Sequence, residues 1–104
     1  MVFAAPTMKG VRVRLVKIGI GNVNSTVGAF DTNVDQMIAQ ARQMAAEQVT
    51  VATFGEQVIG GYPTEDLIQW GAFVDHQWNA IERYARETAD LPLVTGCGIA
   101  LSQH

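Results

Sequence analysis

Glu56 stands one glycine after the apolar run Val49-Thr50-Val51-Ala52-Thr53-Phe54 and shortly before Gly60-Gly61. An acid in that place would emerge at the carboxyl edge of a sheet, where open α/β folds hold their ligands. Gly55, Gly60 and Gly61 let the backbone turn sharply or approach closely on either side. A carboxylate partly buried there could act as a base near neutrality. Position alone leaves a solvated loop acid as an equal alternative.

Other candidates carry less. Gly19-Ile20-Gly21-Asn22-Val23-Asn24 begins like a dinucleotide fingerprint, but Asn24 stands where the third glycine belongs. It also opens a polar loop, whereas pyrophosphate needs a helix N-terminus. A close strand approach or a bulge accounts better for these glycines. His76 falls inside an expected helix and His104 at the last position, and neither has metal-ligand spacing to a second His, Cys or carboxylate. No metal site is expected, and surface placement is. Cys97 lies between Gly96 and Gly98 with no His or Lys activator nearby in sequence, so it reads as a buried inert thiol. Trp70, Phe73, Trp78 and Tyr84 recur at near-helical spacing and read as packing residues.

The chain that must position these groups has 104 residues, enough for one domain at most. It is 48% hydrophobic and only 16% charged, the balance of a folded chain. A net charge of -3 gives no basis for nucleic-acid binding, although Lys9, Arg12, Arg14 and Lys17 cluster near the start. The single cysteine cannot close an internal disulfide, so a reducing, cytoplasmic setting is expected. No apolar stretch reaches membrane-spanning length, and no membrane partner is expected. Residues 1–10 lack the pattern of a secretory signal and read as a flexible extension, with Met8 as an alternative start.

Val11 to Val23 is rich in β-branched residues, with Val11, Val13 and Leu15 in one phase and Val16, Ile18 and Ile20 in the other. That shift predicts a bulged strand, or a short edge piece leading into a buried one. Asn22, Asn24, Ser25, Thr26 and Gly28 form a polar connection. Thr32 with Asp35 three residues on suggests a helix start. Val34, Met37, Ile38, Ala41, Met44 and Ala45 then give one apolar face, ending near Gln48. Val49 to Phe54 reads as a short buried strand. Thr64 is a plausible N-cap, with Glu65 and Asp66 in a first turn that runs to about Trp70. A longer helix spans about Phe73 to Thr88, with Phe73, Ile81, Tyr84 and Ala85 as its apolar face and Glu82–Arg86 as a supporting pair. Leu93 to Leu101 is a third strand. The order β-α-β-α-β predicts an α/β fold with at least partly parallel pairing.

The block Phe54-Gly55-Glu56-Gln57-Val58-Ile59-Gly60-Gly61-Tyr62-Pro63-Thr64-Glu65-Asp66-Leu67 resembles the first catalytic block of the carbon–nitrogen hydrolase (nitrilase) superfamily. Its Gly-Tyr-Pro-x-Glu-Asp-Leu tail is most similar to the amidase domain of the glutamine-dependent NAD synthetase family. Lys17-Ile18-Gly19-Ile20-Gly21-Asn22-Val23-Asn24-Ser25-Thr26-Val27-Gly28 resembles that family's first strand and loop. With Asn33 and the helix after it, the resemblance runs from about Val13 to Ala100. Gly55 is a departure, standing where many members have proline.

The resemblance implies the amino-terminal part of an αββα sandwich, in residues 11–104, and a Glu–Lys–Cys triad in which Glu56 is the general base. The lysine would stabilise the oxyanion, and the cysteine would attack the amide of L-glutamine to give a thioester. The ammonia would pass to a separate synthetase domain using ATP and Mg, which amidates nicotinic acid adenine dinucleotide. The amidase domain itself would need no cofactor. The family's lysine and cysteine come after Glu56, whereas the last lysine here is Lys17 and Cys97 lacks the nucleophile's context. The stretch is therefore expected to be an amino-terminal piece, inactive alone, whose partner is the remainder of its own chain. Two alternatives remain: a stand-alone amidase of the same superfamily, and a non-catalytic α/β interaction module with a stop directly after His104. One sheet's opening strands would leave unpaired edges and an uncovered apolar face, favouring self-association into a homo-oligomer and poor stability in isolation. Sedimentation and thermal melting of residues 1–104 check this: association or a broad, early transition is expected, and a monomer with a sharp cooperative melt contradicts it.

Overall fold

The computed structural model describes residues 2–4, 15–64, 67 and 69–100. Six elements follow along the chain: β1 (Val2–Ala4), β2 (Lys17–Ile20), α1 (Phe30–Ala46), β3 (Val51–Glu56), α2 (Gly71–Glu87) and β4 (Val94–Gly98). The sheet has the order β1-β2-β3-β4. β2, β3 and β4 are parallel, with Ile18 opposite Val51 and Val51 opposite Val94. The expected β-α-β-α-β core is therefore present. β1 adds an antiparallel strand against β2 from within the stretch expected to be a flexible extension. The alternation expected over residues 11–14 lies outside the described residues, as do Glu65, Asp66 and residues 101–104.

α1 forms where the apolar period places it. Val34, Met37, Ile38, Ala41 and Met44 lie on one face and are all buried. Its start differs from the expectation at Thr32: the helix opens at Phe30 after Ala29, with no side-chain cap. Thr32 is exposed, and the Asn33 side chain instead reaches back to the preceding loop and accepts a hydrogen bond from the Thr26 amide at 2.9 Å. The other end is a Schellman motif. Gln48 takes a left-handed φ of 65°, its amide donates to Ala45 O at 3.0 Å, and the Val49 amide donates to Met44 O at 3.0 Å. Val49 is thereby held by the helix, which is why β3 begins at Val51 and ends at Glu56, two residues later than expected.

α2 runs from Gly71 to Glu87, close to the expected span, but its buried row is Phe73, Gln77, Ala80 and Tyr84. Ile81 is half-buried and Ala85 exposed. Trp70 and Trp78 are exposed as well, at 63% and 50%, so of the four aromatics expected to pack, only Phe73 and Tyr84 do. Trp78 lies beside the buried row and donates its indole N–H to Glu82 at 2.9 Å. β4 stops at Gly98 because Ala100 leaves the sheet to donate its amide to Gln77 Oε1 at 2.7 Å.

Both helices cover one face of the sheet. Ala52 and Phe54 of β3 turn toward them, and Phe54 shares a buried cluster with Met37, Ile38, Ile59 and Tyr84. Arg83 of α2 ties the helices together through Asp35 of α1 while also bonding Glu87 at 2.6 Å. Those hydrogen bonds, Asp35 first, hold its pKa above the usual guanidinium value. On the opposite face Ile18, Ile20 and Val94 stand 39%, 49% and 68% exposed. A Met37→Ala change should destabilise the fold by about 2–5 kcal/mol in urea unfolding. Val94→Thr should change it by less than about 0.5 kcal/mol, and an equal cost at both positions would mean that the open face is covered in solution.

Candidate active site

Three loops meet at the carboxyl edge of the parallel strands. The loop after β2 lies against the turn after β3, with the Gly28 amide donating to Gly60 O at 3.0 Å. The turn after β3 lies against the end of β4, with the Gln57 amide donating to Gly98 O at 2.9 Å. Glu56 sits at this junction as the last residue of β3, paired with Gly98 across a local irregularity in the ladder.

Its carboxylate is exposed and, among the described residues, has no hydrogen-bond or ion-pair partner. Of the two placements left open by the sequence, a partly buried acid and a solvated one, the structure has the solvated one. The helices reach over Phe54 but not over the two residues that follow it, so the acid leaves the layer they cover. Its main chain is nonetheless fixed. Val58 and Ile59 turn back into the core, where Ile59 has no exposed surface. Gln57 adopts a φ of 55°, and its carbonyl accepts the Gly61 amide at 2.8 Å. Its side-chain oxygen accepts the Thr64 hydroxyl at 2.9 Å, so the Thr64 hydroxyl braces this turn, while the first-turn residues it was expected to cap, Glu65 and Asp66, lie outside the described residues. Gly61 has a φ of 87°, and a Cβ there would lie 2.5 Å from the Val27 Cα. Only glycine fits both the conformation and the contact.

The remaining candidates lie elsewhere. Cys97 packs against the helix-side cluster, beside an open groove of about 350 Å³ lined in part by Ile81, Tyr84, Leu93 and Thr95. Burial pushes its thiol pKa up, the opposite of an activated nucleophile. Burial likewise raises Tyr84, whose hydroxyl donates to Thr95 Oγ1 at 3.1 Å. Lys17 begins β2 at the opposite edge of the sheet and donates to the Glu47 carbonyl at 2.8 Å, at the end of α1. His76 is exposed and stacks on Phe30 at 5.7 Å. His104 lies outside the described residues. Among the described residues no group of three or more His, Cys, Asp or Glu could hold a metal ion, and no helix is long and apolar enough to cross a membrane. Gly19 and Gly21 serve close approach: a Cβ on Gly21 would lie 2.3 Å from the Phe54 ring.

Comparison with known proteins gives this geometry a family. Glutamine-dependent NAD(+) synthetase of Xylella fastidiosa (strain Temecula1) is 34% identical over 82 residues, 78% of this chain and 15% of that protein. The enzyme of the same name from Xanthomonas campestris pv. campestris (strain 8004) is 30% identical over 87 residues, covering 83% and 16%. The chain is a relative of the glutamine-dependent NAD synthetases. It spans about 15% of the length of the curated relatives it matches. A crystal structure of a glutamine-dependent NAD(+) synthetase from Cytophaga hutchinsonii has the same fold, with a TM-score of 0.66 at 22% identity over 69% of this chain and 12% of that one. No family model matches the chain.

Two residues of this synthetase relative escaped the sequence reading as site-forming groups. Asn33 and Gln77 are polar, have no exposed surface and reach the loops around Glu56 from α1 and α2. Their one signal in sequence is a polar residue in phase with a buried helical row. For Cys97 the expected outcome is slow alkylation. Iodoacetamide should react with the folded chain more slowly than with free cysteine at neutral pH, with the inflection of its pH–rate curve displaced upward. Cys97 is half-buried and not fully buried as expected, and a rate equal to that of the free thiol contradicts even that shielding.

Proposed function

We propose that this chain is the amino-terminal portion of the glutamine-hydrolysing amidase domain of an NAD synthetase, and that Glu56 is its general base. The observation that carries the reading is the placement of Glu56. It ends a central parallel strand, open to solvent at the carboxyl edge, within the block whose type and order match the family. Identity of 34% to a synthetase over 78% of the chain supports the same assignment.

Glu56 would take the proton from a cysteine thiol, and the thiolate would attack the side-chain amide carbon of glutamine. A lysine cation would stabilise the oxyanion, the amide nitrogen would leave as ammonia, and water would hydrolyse the thioester. Neither partner is found among the described residues. Lys17 is held at the far edge of the sheet, and Cys97 is committed to the helix-side core. The stretch alone is therefore inactive. The ammonia would serve a synthetase domain using ATP and Mg to amidate nicotinic acid adenine dinucleotide, and no described residue is assigned to either group.

A Glu56→Gln change in the intact gene product tests this. Glutamine-driven synthesis should fall by about 10²-fold or more, while synthesis from free ammonia is spared. Equal loss of both would assign Glu56 to the fold.

A further inference from the structure

We propose that Asn33 is a positioning residue for Glu56, clamping the loop after β2 to the turn after β3 so that the two form one wall of the site. The inference rests on the amidase reading for what Glu56 does, but its geometry stands apart from that reading. Asn33 Nδ2 donates to Ile59 O at 2.9 Å and to Thr26 O at 2.8 Å, and Oδ1 accepts the Thr26 amide at 2.9 Å. Both donors of the amide are therefore in use, one on each loop. The side chain has no exposed surface, so water cannot replace a lost bond. An apolar residue of the same shape would fill the space and leave the Thr26 amide and the Ile59 carbonyl unpaired, while Thr26 O would keep only the Ala29 amide at 3.1 Å.

The bonds fall on the loops and not on the helix layer. Ile59 lies three positions after Glu56, inside the turn that carries the strand away from it. Around the Asn33 link, Gly28 bonds Gly60 and Gly61 seats against Val27, so three contacts join the same two segments. Gln77 closes the far side of the turn: its side chain lies against Gly60 while its oxygen holds the Ala100 amide. Glu56 itself has no side-chain anchor among the described residues, so its direction depends on how well this turn is held.

Hydrogen exchange of the intact gene product, read by mass spectrometry, tests the clamp. Asn33→Asp removes both donors and keeps the acceptor. Exchange at the Gly28 and Gly61 amides should rise by about tenfold or more, while the Gly21 amide, bonded to Thr53 O outside the clamp, stays within about twofold. Gly61→Ala, which pushes the loops apart from the other side, should give the same pattern. In the unaltered protein Gly28 and Gly61 should open together. The kinetic counterpart is a lower kcat for glutamine-driven synthesis, with KM and ammonia-driven synthesis unchanged. A uniform rise at all three amides, no rise at all, or separate openings of Gly28 and Gly61 in the unaltered protein would overturn the proposal. If both variants fail to fold, the unaltered protein decides. A clamp that holds while Glu56→Gln proves harmless would sink the amidase reading and leave the geometry standing.

Discussion

The structure depends on how closely α1 can lie on the sheet. β2 and the residue directly after it offer glycine, not a side chain, at two points of close approach. A Cβ on Gly19 would lie 2.9 Å from the Met44 sulfur, and one on Gly21 would strike the Phe54 ring. Those absences let Met44 and Phe54 fill space that any larger residue would occupy, in keeping with the density of protein interiors. Phe54 is then placed edge-on to Tyr84 at 6.1 Å, which sets α2. Val58 and Ile59 enter the same cluster and draw the chain after Glu56 back over the core. The acid's position therefore begins with two missing methyl groups, one on a neighbouring strand and one just beyond its end.

Much of this was legible in the sequence and some was not, for physical reasons. The stripe from Val34 to Met44 gave α1, since period alone decides which face of a helix is buried. The order of strands and helices gave parallel pairing, and the Glu56 block gave the family. The bounds of β3 were not legible because they depend on the helix cap at Gln48, whose left-handed conformation no composition rule announces for glutamine. The start of α1 was misplaced because the local signal at Thr32 competed with long-range bonds from Asn33. The exposure of Glu56 depends on how far the two helices extend over the sheet, a tertiary quantity. In α2 the aromatic spacing was right for Phe73 and Tyr84 but not for Trp70 and Trp78, which are exposed, while Gln77 and Ala80 complete the buried row.

The two faces of the sheet divide the chain's chemistry. The helix side holds the thiol of Cys97 and the phenol of Tyr84, both shifted toward their neutral forms by burial. The other side carries Ile18, Val51 and Val94 in register across three strands, an apolar row open to solvent. Among the described residues the charged cluster around Arg83, which links α1 to α2, lies on the outside of the helices, apart from the exposed acid at the sheet's edge.

That last separation bears on ionic strength. The Arg83 cluster is a set of exposed charges whose attraction weakens as the screening length shrinks from about 8 Å at physiological salt to about 3 Å at 1 M. The turn behind Glu56 is held by buried aliphatic groups and amide hydrogen bonds, which have no such dependence. Brine would therefore loosen the seam between the helices before it disturbed the aim of the acid.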